Sequence, residues 1–505
     1  MNAELFFSVN HKHSARICVP VCEKALDTLR QTCERAGEWA DFIELRLDCL
    51  EEIPNNLSEV IQHLARPVIL TFRPSEQGGH RRLTRDERQN FWFSKGPHGE
   101  NIWWDIEGDL VNLEPDWSRV IVSHHDFSVV PNDLQQIYER LAHTPAAVIK
   151  IAVQANDIVD CIPVFQLLDR ARGEGRKIIA IAMGNAGIAT RVLGPSRGSF
   201  LTYGALDDEN ATAPGQVNAR KLRSLYHLDT IDNETMICGL VGLPIMHSVS
   251  PHIHNTAFVE EKINGIYLPF EVHDVKQFFK RMVHPRTREL NWNLRGLSIT
   301  APHKQTVMEC LEWIAPQASE IGAVNTVAVK HDRLLGFNTD AAGLIAPLRK
   351  RFTSLTDARV AIIGAGGAAR AAIWTLKKHF ANVTLFARNT TKARPLAELF
   401  EISCNPLSGT SFNGYDLVIN ATPVGAGAYI DQSPVTREQL KGVRCAYDLI
   451  YNPPETRFLR EARDAGCETL GGLEMLVAQA RLQFELWTGK RFSHEFSGRT
   501  LDFVS

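Results

Sequence analysis

Short apolar, β-branched runs alternate along the first 230 residues with amphipathic stretches at helical spacing. Eight runs stand out: Ile17–Val21, Phe42–Asp48, Val68–Arg73, Ile102–Glu107, Val120–His125, Val148–Val153, Lys177–Met183 and Phe200–Ala205. Helical patterns such as Val21–Arg35 and Asp133–His143 fall between them. Strands alternating with helices predict a parallel sheet. Eight such units in this length predict a closed (β/α)8 TIM barrel. An open doubly wound sheet is the competitor, but no glycine-rich phosphate turn follows the first run.

The stretch His227–Glu234 (HLDTIDNE) is polar and turn-like, and a new apolar strand begins at Met236. Alternation resumes there, with strands expected near Ile237–Val241, Tyr267–Phe270, Leu294–Thr300 and Val324–Val329. A fresh buried strand at Val360–Ile363 opens a further lobe. The whole chain is therefore predicted as α/β, a TIM barrel followed by a two-lobed α/β unit.

Composition narrows the class without choosing a chemistry. At 505 residues the chain exceeds one ordinary core, and a net charge of -3 with 44% hydrophobic residues describes a globular protein. Neither a basic nucleic-acid footprint nor an apolar run of membrane length is present, so no nucleic-acid or membrane partner is expected. The polar Met1–Arg16 segment shows no leader pattern, and a cytoplasmic location is expected, or a plastid one if a transit peptide has been removed. Ten scattered cysteines, with no CxxC pair and Cys18/Cys22 the closest in sequence, are expected to be reduced, packed thiols rather than disulfides or a metal site.

Reactive groups in such a barrel come from the C-terminal strand ends. Those ends supply Glu44, Arg46, Arg73, Glu107, His125 and Lys150. Desolvation would make the Lys150 amine a nucleophile, whereas a salt-bridged barrel lysine is the plain alternative. His125 alone reads equally as a hydrogen-bonded core histidine, and Glu107 as a helix cap. His124 should face the other side of its strand. The segments Glu44-Leu45-Arg46-Leu47-Asp48, Thr71-Phe72-Arg73, Asp105-Ile106-Glu107, Ser123-His124-His125-Asp126-Phe127, Ile149-Lys150 and Ala213-Pro214-Gly215-Gln216 resemble, in order, the type I 3-dehydroquinate dehydratases. The resemblance implies a metal-free reaction in which Lys150 forms a Schiff base with substrate, His125 is the general acid/base and Glu107 is its partner. It also implies that Arg191 clamps the substrate carboxylate, with Arg46 and Arg73 as further cations. Glu44, Thr212 and Gln216 would bind hydroxyls and close a lid. The family's Glu-Gly-Gly stands here as Gln77-Gly78-Gly79, and its lid serine as Thr212.

In the second half, the strand Val360–Ile363 runs into Gly364-Ala365-Gly366-Gly367-Ala368-Ala369 and a helical pattern. That context makes a weak glycine fingerprint a credible pyrophosphate turn. The next strand ends in Arg388 rather than an acidic residue, with Lys392 close by, which favours NADP over NAD. The motifs around Ser248-Val249-Ser250, Thr300-Ala301-Pro302-His303-Lys304, Asn325-Thr326, Asn338-Thr339-Asp340, Asn420-Ala421-Thr422-Pro423 and Gly472 to Gln479 look like shikimate dehydrogenase from Ile237 to Trp487. By that resemblance Lys304 and Asp340 are the catalytic couple. Ser248 and Ser250 would bind the carboxylate. Thr300, Asn325, Tyr451 and Gln479 would bind the ring hydroxyls. Gly364, Ala365, Gly366, Gly367, Ala368, Ala369, Arg388, Lys392, Thr422, Leu449 and Gly472 would hold NADP(H).

The expected domains are therefore a dehydratase barrel over 1–230, a substrate lobe over 236–343, a Rossmann-type NADP lobe over 344–472, and a helical segment over 473–505 returning to the substrate lobe. The product of the first reaction, 3-dehydroshikimate, is the substrate of the second, which ends in shikimate. Two rival readings stand beside this one: a dehydrogenase preferring quinate, or one domain reduced to a binding module. Oligomeric state is left open, monomer included.

Overall fold

The computed structural model describes residues 15–54, 57–95, 99–110 and 116–493. The expectations for Met1–Ser14 and for the end of the chain beyond Ser493 lie outside the described residues. The chain divides into two compact units. One comprises 1–237 with 264–283 and 287–293; the other holds 238–263, 284–286 and the chain from 294 onward.

The first unit is built on eight parallel strands. They are β1 (Ile17–Val21), β2 (Phe42–Arg46), β3 (Val68–Thr71), β4 (Ile102–Glu107), β5 (Val120–Asp126), β6 (Val148–Gln154), β7 (Ile178–Met183) and β8 (Thr202–Tyr203). Their order is β7-β6-β5-β4-β3-β2-β1-β8, and a parallel bridge from Ile178 to Ser199 links the two ends. Near-continuous burial along each strand follows from helices on the outer face and side chains filling the interior. Cys18, Phe42, Ile69, Ile121, Val148 and Ile179 pack together in the interior.

One expectation fails here. Cys22 and Cys49 form a disulfide, their Cα atoms 5.4 Å apart. They lie 27 residues apart in sequence, but β1 and β2 are parallel neighbours with Val21 opposite Leu45, so residues just past both strands meet at one rim. Sequence spacing carries no trace of that register. The other eight cysteines stand outside the disulfide, six of them buried.

Of the remaining strands, β9 is Met236–Gly242, and β10 (Gly265–Glu271) falls within the first unit. The second unit's smaller sheet runs β9, β11 (Leu294–Ile299), β13 (Thr326–Lys330), β14 (Arg333–Phe337) and β12 (Trp313–Ile314). Its larger sheet comprises β15 (Arg359–Ile363), β16 (Asn382–Ala387), β17 (Ser403–Pro406), β18 (Leu417–Asn420), β19 (Cys445–Asp448) and β20 (Glu468–Leu470). The order β17-β16-β15-β18-β19-β20, all parallel, is the 3-2-1-4-5-6 arrangement of a doubly wound dinucleotide fold. Apolar cores cover both of its faces, one built on Leu344, Ile373 and Leu376, the other on Phe412, Leu440 and Phe458. No helix among the described residues is long and apolar enough to cross a membrane.

Candidate functional site

In the barrel, Lys150 is not at a strand end. It is the third residue of the seven-residue β6, and its amine reaches a layer of acceptors from three other strands. Nζ donates to Asp105 Oδ2 at 2.8 Å, to the Tyr203 hydroxyl at 2.9 Å and to Glu44 Oε1 at 3.3 Å. Lys150 is only 4% exposed. Burial penalises the Asp105 carboxylate, yet the charges of Lys150 and Arg73 win and hold it well below the usual range. Arg73 binds Asp105 at 2.7 Å.

His125 lies on β5 with a buried, unpartnered Nδ1. Burial, reinforced by the charges of Arg73 and Lys150, keeps its pKa well below the ordinary histidine value, so the ring is a neutral base. The expected His125–Glu107 pair does not form. Glu107 stands opposite Ser123, two residues before His125, and its carboxylate is taken by Arg88 at 2.9 Å with Arg73 at 3.8 Å. Burial pushes Glu107 up to about 7. The His125 ring stacks on Phe127 at 6.3 Å, and Phe127 in turn abuts Gly78 so closely that a Cβ there would lie 2.2 Å from its ring. His124 is half-buried and lies outside the cavity lining.

A cavity of about 50 Å³ collects Glu44, Arg46, Arg73, His125, Lys150, Arg191, Thr212 and Gln216. Thr212 N and Gln216 Oε1 are bonded at 2.8 Å, closing that loop on itself. Arg46 is committed to Asp48 through two bonds, at 3.0 and 2.7 Å, and donates to the Gly78 carbonyl. Arg191 differs. It is 1% exposed, makes only long bonds to the Tyr203 and Pro214 carbonyls, has an unpartnered Nε, and has no carboxylate partner among the described residues. Burial brings its pKa down to about 10. A buried cation without a counter-ion is a site for an anionic ligand. Asp105 and Tyr203 are the barrel residues that sequence reasoning passed over, although Asp105 stands two positions before Glu107, on the same strand face.

The second unit holds a larger cleft of about 600 Å³. Ser248, Ser250, Thr300, Lys304, Asn325, Asp340, Tyr451 and Gln479 all line it, with Ala368, Leu449 and Gly472. Lys304 Nζ donates to Asp340 Oδ2 at 2.5 Å. Asn325 donates to Asp340 Oδ1 at 2.7 Å and to Gln479 Oε1 at 3.2 Å, fixing the carboxylate from its other side. Ser248 and Ser250 share a hydroxyl contact of 3.2 Å at the start of the helix Ser250–Glu260, and Tyr451 reaches Ser248 at 3.4 Å. Gln483, four residues beyond Gln479 on the same helix, was not anticipated. It accepts from Ser298 at 2.8 Å and donates to Thr326 at 3.1 Å, holding the end of β11 just before Thr300 to the start of β13 just after Asn325.

The glycine turn joins β15 to the helix Gly367–Lys378. Gly364 has φ +107°, and a Cβ there would lie 2.8 Å from Thr422 Cγ2, which places Thr422 against the turn. At Gly366 a Cβ would meet nothing within 4 Å, and no side chain caps the helix N-terminus. At Gly366 the turn therefore opens on free space, with no side chain over the helix N-terminus, as a pyrophosphate requires. A Cβ on Gly367 would strike the Lys304 side chain at 2.9 Å, so turn and lysine adjoin. Arg388 and Lys392 are exposed at the end of β16, where Asn389 caps the following helix by accepting from Lys392 N. Ala365 and Ala369 lie in the same turn and first helical turn. These residues fit an adenine dinucleotide with a 2′-phosphate.

A buried lysine in a parallel barrel, followed by a lysine–aspartate cleft beside a dinucleotide turn, defines a chain with two enzyme sites, a lyase and an oxidoreductase. Residues 17–233 match the family described as type I 3-dehydroquinase. Residues 240–327 match the shikimate dehydrogenase substrate binding domain, 347–441 shikimate / quinate 5-dehydrogenase, and 472–493 the shikimate 5'-dehydrogenase C-terminal domain. The bifunctional 3-dehydroquinate dehydratase/shikimate dehydrogenase, chloroplastic, of Arabidopsis thaliana is 31% identical over 510 residues, covering 95% of this chain and 83% of that one. The NADP(+) shikimate dehydrogenase of Caldanaerobacter subterraneus is 37% identical over 53% of this chain and 96% of its own. A solved shikimate dehydrogenase in complex with NADP+ aligns with a TM-score of 0.50 at 33% identity, covering 55% of this chain and 98% of that one. The chain belongs to the bifunctional 3-dehydroquinate dehydratase/shikimate dehydrogenase family.

Proposed function

We propose that the barrel dehydrates 3-dehydroquinate through an imine on Lys150, and that the second unit reduces the resulting 3-dehydroshikimate to shikimate with NADPH. The observation that carries the reading is the pair of lysines, each bonded to an aspartate, one enclosed beside an unpaired arginine and the other open to a dinucleotide turn. In the barrel, Arg191 receives the substrate carboxylate. The Lys150 amine adds to the ketone carbon, water leaves, and the protonated imine acidifies the neighbouring C–H. His125 takes that proton and returns it to the departing hydroxyl, which leaves as water; a second water then releases the product from Lys150. Glu44, Thr212 and Gln216 orient the hydroxyls. Glu107, engaged with Arg88, supports Arg73 rather than the histidine.

In the cleft, Ser248 and Ser250 bind the carboxylate, and Thr300, Asn325, Tyr451 and Gln479 the ring hydroxyls. Lys304 gives a proton to the ketone oxygen as it becomes a hydroxyl, and Asp340 positions the lysine. Bound NADPH supplies the hydride. Arg388 and Lys392 take the 2′-phosphate, while Gly364 to Ala369, with Thr422, Leu449 and Gly472, form the rest of the cradle. These roles follow the proposed domains 1–230, 236–343, 344–472 and 473–505.

One coupled assay tests the reading: dehydroquinate with NADPH or NADH, followed by nucleotide oxidation. Oxidation of NADPH with shikimate as product is expected. Dehydroshikimate accumulating without oxidation sinks the second assignment, and unreacted dehydroquinate sinks the first. Rates with shikimate and quinate decide the quinate alternative. Location in the cytosol or in a plastid, the compartment given for the Arabidopsis relative, is decided by fractionation.

A further inference from the structure

At the C-terminal rim of the barrel three metal-ligating side chains converge that the dehydration chemistry does not use. Cys22 Sγ, Cys49 Sγ and one ring nitrogen of His80 lie within 4.8 Å of one another. β1 delivers Cys22, β2 delivers Cys49, and His80 comes from the 75–81 loop that follows β3. The cysteines are half-buried and the imidazole is exposed, so solvent reaches the cluster. The loop's position there is set by its backbone: His80 N donates to Asp48 Oδ2 at 2.9 Å, and Arg81 donates to the Asp48 and Glu51 carbonyls at 3.2 and 3.0 Å. The same loop carries Gly78, packed against Phe127 beside His125.

We propose that, once the Cys22–Cys49 bond is reduced, Cys22, Cys49 and His80 bind one thiophilic divalent cation, Zn²⁺ or its analogue Co²⁺, and that this ligation pins the 75–81 loop to the ends of β1 and β2. Two thiolates and an imidazole are the donor set of zinc rather than of magnesium or calcium. Tetrahedral zinc needs ligand atoms roughly 3.5–4 Å apart, so the three groups need move only about an ångström once the sulfurs separate. Opening the bond requires a dithiol reductant. It gives two electrons and two protons to the sulfurs and itself becomes a disulfide. Metal binding then releases the two thiol protons. With three protein ligands, a water completes the shell.

The test uses the full chain, reduced, freed of reductant under anaerobic conditions and titrated with Co²⁺. One equivalent is expected to bind with the charge-transfer absorption of cobalt–thiolate bonds, while the oxidised protein binds none. The C22S/C49S variant should lose the absorption while keeping basal dehydratase turnover, which shows that its barrel is folded. His80→Asn should weaken binding by at least ~100-fold, more than loss of a group supporting a ligand. The loop tether rests on the dehydratase reading and has its own readout: Zn²⁺ should slow dehydration by the reduced enzyme several-fold and leave H80N unaffected. Absence of a thiolate band in the reduced chain, or its persistence in C22S/C49S, overturns the site. Metal bound through the thiolates with dehydration unslowed overturns the tether.

Discussion

The barrel site and the dehydrogenase cleft are both built on a lysine bonded to an aspartate, at 2.8 and 2.5 Å, yet their surroundings assign them different work. Lys150 is sealed, with Asp105, Glu44 and Tyr203 around its amine and a cavity of about 50 Å³ above it. Lys304 keeps 17% of its side chain exposed in a cleft of about 600 Å³, beside a turn shaped for a dinucleotide. On the proposed reading, Lys150 itself makes the electron sink in the barrel, as an imine, with Glu44, Thr212 and Gln216 holding the substrate hydroxyls around it. In the cleft, on the same reading, the reductant is a bound ligand and Lys304 serves as proton donor to the ketone oxygen. The difference teaches that a Lys–Asp pair is not a mechanism; enclosure and neighbours decide between nucleophile and proton donor.

Several substitutions would break or sharpen that contrast. Lys150→Met should lower dehydratase turnover by at least ~10⁴-fold, as loss of a covalent nucleophile does, and leave NADPH-dependent reduction of added dehydroshikimate intact. Lys304→Met should do the reverse, lowering dehydrogenase kcat by about 10²–10⁴-fold with dehydration unchanged. Equal losses in both activities from either substitution would break the comparison. Arg191→Met should raise the dehydroquinate KM about 10–100-fold, the worth of a charge-assisted pair. It should also raise the barrel's melting temperature, since Arg191 is a buried cation with an unpartnered Nε. Arg388→Ala should raise KM for NADPH about tenfold and leave that for NADH unchanged.

The smallest effect concerns the buried His254. Burial brings His254, packed beside Phe484 and Trp487 in the second unit, down to about 3. A depressed folded value means that its stabilising contribution is complete above the unfolded value of 6.5 and is lost as pH falls toward 3. Between pH 6.5 and 5.5 it should remove about 1 kcal/mol from the second unit's urea stability, and His254→Gln should abolish that slope. An unchanged slope in the variant would show that His254 is not the group being titrated.

Much of both sites was legible because strand and helix periodicity carries local chemistry. The eight apolar runs became the eight barrel strands, and Gly364–Gly367 after Val360–Ile363 marked the dinucleotide turn. Lys304, Asp340, Asn325 and Gln479 come from separate motifs and meet in one network. What was missed depends on lateral register, which one strand read alone does not contain. The Cys22–Cys49 bond, the Asp105–Lys150 contact and the capture of Glu107 by Arg88 each join different elements. Gln483 was within reach, being one helical turn after Gln479, but glutamine in a helix reads as solvated until Ser298 and Thr326 are seen beside it. Lys150 was read among the strand ends although it is the third of the seven residues of β6, because its chemistry rather than its place along the run singled it out.

Borohydride reduction in the presence of dehydroquinate, followed by mass mapping of the intact chain's peptides, separates the two lysines most directly. One substrate-derived adduct per chain, on Lys150 and absent from Lys304, is the predicted result. No adduct during turnover, or an adduct on Lys304, would contradict the division of covalent and proton-donating roles between them.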